Sequence, residues 1–69
     1  MKEVASRLKE VRKDLGMSQK EVAEAIGVTS SAYANYEQGT REPALKVLVK
    51  ICEVLDTSAD YLLGIEDYI

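Results

Sequence analysis

Between Ser18 and Gly39 the chain reads SQKEVAEAIGVTSSAYANYEQG, and this stretch constrains the fold more than any other. Ser18-Gln19-Lys20-Glu21 has the form of a capping box, in which the serine hydroxyl caps an early amide while Glu21 reaches back. Val22, Ala23 and Ile26 then share one helical face, and Gly27 ends the segment. Thr29 is a second good N-cap. Ala32, Tyr33 and Tyr36 give the inner stripe of a further helix, which runs to about Gln38 and stops at Gly39. Ser30, Ser31, Ala34, Asn35 and Gln38 fall more on its outer side. A tight turn at Gly27-Val28 joins the two helices. Ala23 is small enough for the second helix to cross close above it, and Tyr33 faces back toward the first.

The rest of the sequence continues the helical punctuation. Val4, Leu8, Val11 and Leu15 fall on one face of a first helix from about Lys2 to Leu15, with Gly16 after it. Thr40-Arg41-Glu42-Pro43 reads as a loop, with Pro43 at or just before the next helical turn. A fourth helix is expected from Ala44 to Leu55, with Leu45, Leu48, Ile51, Cys52 and Leu55 inside. A short fifth follows Ser58 and ends at Gly64. Val, Ile and Tyr recur at helical spacing rather than in alternation, so the expected class is all-α, five short helices. At 69 residues the chain is long enough for a single domain, 1–69, near the lower limit for an independent core.

Composition removes several functions. There is one cysteine, Cys52, and no histidine. A disulfide framework, a zinc cluster and the commonest general base are therefore all missing, and no cofactor, metal or catalytic constellation is expected. Asp56 and Asp60 lack the spacing of a calcium loop. No apolar run approaches a membrane span, and no signal peptide is expected, since Met1-Lys2-Glu3 opens directly into the first amphipathic pattern. Net charge is −3, but it is unevenly distributed. Residues 1–50 hold nine bases and seven acids, whereas residues 51–69 hold five acids and no base. A local basic patch can bind phosphate on such a chain.

The small, glycine and bulky residues at 23, 27 and 33 define a helix-turn-helix unit. The chain as a whole resembles the Cro and lambda-repressor-like helix-turn-helix domains, the XRE family. The resemblance runs from about Val4 to Gly64. It includes Gly16-Met17-Ser18-Gln19, Glu37-Gln38-Gly39, Arg41-Glu42-Pro43 and Ser58-Ala59-Asp60-Tyr61-Leu62-Leu63-Gly64. It implies double-stranded DNA as partner, with the helix at about 29–38 in the major groove. By position it implies base contacts from Thr29, Ser30, Ser31 and Asn35. Gln19, Lys20, Tyr36, Gln38, Thr40 and Arg41 are then the expected DNA-backbone contacts. Gln19 would also brace the third helix, and Arg12 and Glu37 would form a structural ion pair. The chemistry agrees, since Asn35 could pair with adenine N6 and N7, and the Thr29 methyl could pack on a thymine methyl.

Two features depart from the family pattern. The recognition helix carries no Lys or Arg, so the bidentate Arg–guanine contact is missing. Tyr33 stands where a branched aliphatic residue is usual. Val47, Val49, Val54, Ile65, Tyr68 and Ile69 are more apolar surface than one core needs. The resemblance implies a dimer contact at the end of the fourth helix, the fifth helix and the tail, through Val54, Ile65, Tyr68 and Ile69. A two-fold homodimer would match a palindromic operator. The expected function is a cytoplasmic repressor or regulator, with no small-molecule substrate. The alternative is a protein-interaction module on the same fold, which the negative net charge and uncharged recognition helix favour.

Overall fold

The computed structural model describes residues 2–65. Its elements are α1 (Lys2–Asp14), α2 (Gln19–Ile26), α3 (Ser30–Gln38), α4 (Leu45–Leu55) and α5 (Ala59–Leu63). Among the described residues every regular element is a helix. The caps set the boundaries. Ser18 Oγ accepts from the Glu21 amide at 3.0 Å while Glu21 Oε1 accepts from the Ser18 amide at 2.8 Å, which completes the capping box. Thr29 Oγ1 accepts from the Ala32 amide at 3.1 Å, and Ser58 Oγ from the Tyr61 amide at 3.0 Å. Gly27 closes α2 at φ +81°, and its own amide and that of Val28 both donate to the Ala23 carbonyl at 3.0 Å. A side chain is disfavoured in that left-handed conformation, which is why glycine stands at this turn.

Packing follows from the apolar stripes. α1 lies against α3 and α5, α2 against α3 and α4, and α4 against α5. Tyr33, Leu8, Ile51, Leu55, Leu62 and Val22 are fully buried where these helices meet. Ala23 is also buried and lets α3 approach α2 closely. α1 and α5 are locked at the surface as well. Arg7 Nη1 donates to the Tyr61 carbonyl at 2.7 Å, and its guanidinium lies 4.5 Å from the centroid of the Tyr61 ring. The Tyr61 hydroxyl donates to Glu10, and this bond, with burial, pushes its pKa up.

The structure corrects the sequence reading at several places. Leu15 is 49% exposed, because it stands one residue past the end of α1 at the rim of the core, although its amide still donates to the Val11 carbonyl at 3.1 Å. Leu45 is 81% exposed, since α4 begins a turn before the core does. Leu48 is only half-buried, and Ile51 is the first fully buried residue of that helix. Val47 and Val54, read as outside the stripe, are half-buried against the core. The reason is that α4 is covered from two sides, by α2 and by α5, so its buried arc is wider than one stripe. α4 ends on Asp56 at φ +52° in the left-handed region, a stop not marked by glycine. Aspartate tolerates this conformation better than most residues.

Candidate nucleic-acid interface

The site is built on the angle between α2 and α3. Tyr33 and Tyr36 fill the inner side of α3 and meet edge to face, with centroids 6.2 Å apart and planes at 85°. Their burial turns the opposite side of α3 outward. Thr29, Ser30, Ser31 and Gln38 are exposed there, and Asn35 is half-buried. Lys20, Thr40 and Arg41 are exposed at the start of α2 and in the loop after α3, and Gln19 is half-buried. The Thr29 hydroxyl is engaged as the α3 cap, which leaves its methyl as the group available for an apolar contact. The first amides of α2 and α3 also provide a favourable end for a phosphate.

A buried polar cluster fixes this geometry from behind. Arg12 Nε donates to Glu37 Oε2 at 2.6 Å, and Nη2 donates to Oε1 at 3.1 Å. The remaining arm, Nη1, donates to the Met17 carbonyl at 2.8 Å. Gln19 Nε2 donates to Glu37 Oε1 at 3.0 Å. The Glu37 and Arg12 side chains are 3% and 10% exposed. Burial by itself would raise the Glu37 pKa. The hydrogen bonds from Arg12 and Gln19 outweigh it and hold the carboxyl below its ordinary range. The bond to Glu37 correspondingly raises the Arg12 pKa. The Tyr33 hydroxyl is buried without a hydrogen-bond partner among the described residues. Burial and the nearby Glu37 carboxylate push its pKa far up, so it stays a neutral phenol.

The expected site residues therefore gather into two groups. Thr29, Ser30, Ser31 and Asn35 lie along the outer side of α3 and its N-terminus. Gln19, Lys20, Gln38, Thr40 and Arg41 stand at the helix and loop ends. Tyr36 is the exception. It is 5% exposed, so its ring belongs to the core and leaves little surface for a ligand. Of the expected dimer contacts, Val54 is half-buried against the core and Ile65 is 72% exposed, while Tyr68 and Ile69 lie outside the described residues. Leu45, Leu48, Val49, Cys52 and Leu63 line a shallow apolar groove between α4 and α5. A contact between Asn35 and Thr40 was missed at the sequence level. Nothing in the order of residues marks it except the spacing of Asn35 from Gly39-Thr40.

Comparison with known proteins gives a consistent picture. The helix-turn-helix family model matches residues 8–62. The chain is 44% identical over 59 residues to YqaE, an HTH-type transcriptional regulator of Bacillus subtilis that is itself uncharacterised. That match covers 86% of this chain and 51% of YqaE. The chain thus spans about half the length of the curated relatives it matches at this identity. The fold superposes on the P22 c2 repressor bound to a synthetic operator with a TM-score of 0.83 at 29% identity, covering 86% of this chain and 89% of the repressor chain. It superposes on the N-terminal DNA-binding domain of SinR from Bacillus subtilis with a TM-score of 0.84 at 34% identity, covering 91% and 93%.

Proposed function

This chain belongs to the XRE family of helix-turn-helix proteins, and from that premise we propose that it binds double-stranded DNA sequence-specifically as a transcriptional repressor or regulator. The observation that carries the reading is the two-sidedness of α3. Its inner face is closed by Tyr33 and Tyr36, while Thr29, Ser30 and Ser31 stand exposed at its N-terminal end. In this reading that end enters the major groove, with Thr29, Ser30, Ser31 and Asn35 at base edges. Gln19, Lys20, Gln38, Thr40 and Arg41 meet the DNA backbone. Glu37 braces Gln19 for that contact. The likeness to an operator-bound repressor and to a DNA-binding domain supports the reading.

The protein acts as a two-fold dimer on a palindromic operator. Leu45, Val49 and Ile65 support this part, since they expose apolar surface on and after α4 and α5 which a second copy would cover. Among the described residues no helix is long and apolar enough to cross a membrane, in keeping with a cytoplasmic location. Because α3 carries no cation, phosphate neutralisation rests on Lys20, Arg41 and Lys46, and affinity depends on pairing two domains.

The test is selection from random duplex DNA, with Asn35→Ala as the companion variant. The expected result is one enriched palindrome, with the variant losing preference at one base of each half-site. Enrichment of no sequence at low salt would leave the protein-interaction reading, which the net charge of −3 favours, as the better account.

A further inference from the structure

The α3 C-terminus ends in a way that brings a loop side chain onto a candidate base reader. Gly39 adopts φ +80°, and its amide donates back to Tyr36 and Asn35 carbonyls. The next amide, of Thr40, donates to the Asn35 carbonyl at 3.1 Å. This is a Schellman-type closure, and it folds residue 40 back over residue 35. The Thr40 hydroxyl then lies 3.2 Å from Asn35 Oδ1 and 3.3 Å from the Asn35 main-chain oxygen, sharing its single proton between them. Among the described residues Asn35 Nδ2 has no hydrogen-bond partner, so both its N–H donors are available. Thr40 is exposed and Asn35 half-buried, so this pairing contributes little to the core.

We infer that Thr40 is a specificity-determining residue that acts through Asn35, a role distinct from gripping the DNA backbone. The inference rests on the DNA-binding reading above. An asparagine amide offers a donor end and an acceptor end, and rotation about its last bond exchanges them. In the arrangement seen, the Thr40 hydroxyl donates to Oδ1 and anchors that end of the amide on the loop side, with Nδ2 turned away from it. A fixed amide distinguishes a base edge with acceptors from one with donors, whereas a freely rotating amide satisfies either. The sequence requirement is Asn35, then a glycine four positions later, then a hydroxyl residue.

The experiment compares the full chain with Thr40→Val, Thr40→Ser and Asn35→Ala/Thr40→Val by DNA selection and by titration against matched and single-substituted sites. Valine keeps the shape and the main-chain amide of threonine, and an unchanged melting temperature verifies the fold. The expected result is that Thr40→Val loses discrimination at the base pair Asn35 reads by roughly three- to ten-fold. Any loss of affinity for unrelated DNA, from the backbone contact proposed for Thr40 above, should be smaller than the loss at the matched site. Thr40→Ser should retain the preference, and Thr40→Val should add nothing in the Asn35→Ala background. A uniform loss on all sequences, or unchanged discrimination, overturns the inference while leaving the DNA-binding reading intact. Failure of the unmodified chain to enrich any site overturns both.

Discussion

Gln19 and Glu37, at the first residue of α2 and in the last turn of α3, share a hydrogen bond of 3.0 Å from Nε2 to Oε1. The bond ties together the two helices of the proposed DNA-binding unit. Glu37 is in turn gripped by two arms of Arg12 from α1, so one carboxylate fixes three elements. Its neighbours satisfy it well, and its removal should be felt in the fold before it is felt in recognition.

Replacing Glu37 by Gln leaves the Arg12 guanidinium buried without its counter-charge. Removal of one partner from a buried ion pair costs about 3 kcal/mol or more. Urea unfolding of Glu37→Gln should show a loss of that order. A change below about 0.5 kcal/mol would mean that the pair contributes no more than an exposed one.

The same pair predicts acid sensitivity. The Glu37 pKa is held below its ordinary value in the folded chain. The unfolded chain therefore takes up the proton first as pH falls. The contribution from Glu37 is complete above the unfolded carboxylate pKa, about 4.3. It disappears as pH drops through that value and then through the lower folded one. Unfolding midpoints between pH 7 and pH 3 should fall more steeply for the unmodified chain than for Glu37→Gln. Parallel curves would contradict this account.

Tyr33 is fully buried, and its hydroxyl lacks a bonding partner among the described residues. A buried unsatisfied hydroxyl costs roughly 1–3 kcal/mol. Tyr33→Phe keeps the ring and removes that cost, so it should leave stability unchanged or raise it by about 1 kcal/mol. A clear loss in thermal unfolding would show that the hydroxyl bonds to the Arg12–Glu37 cluster in solution.

Gly27 sits at φ +81° with open space where a Cβ would stand. The cost of alanine there is conformational rather than steric, about 1–2 kcal/mol. Gly27→Ala should lower the melting temperature without altering which DNA sequence is preferred. Altered preference would imply that the turn angle itself had moved.

Arg41 is exposed beside the N-terminal side of α4 and is a proposed phosphate contact. Arg41→Ala should reduce the slope of log affinity against log salt by about 0.9 per binding domain and weaken all sequences alike. A sequence-dependent loss would reassign Arg41 to base reading.

The order of residues was enough to specify the helices, because capping and stopping are local. Ser18, Thr29 and Ser58 each find their amide three residues away. The inner faces of α2 and α3 were likewise legible, since three- and four-residue spacing puts Val22, Ala23 and Ile26, or Tyr33 and Tyr36, on one side. Tertiary structure decided everything that depends on how many neighbours a helix has. α4 buries Val47 and Val54 because α2 and α5 both cover it, while Leu45 at its start meets open solvent. It also decided which polar groups meet. Glu37 brings together Arg12 and Gln19, which are 25 and 18 positions away; no local rule encodes such a distance, and only the family resemblance made these partners legible beforehand. Local spacing fixes hydrogen bonds within a turn of helix. Contacts across helices depend on the angles at which the buried side chains allow the helices to pack.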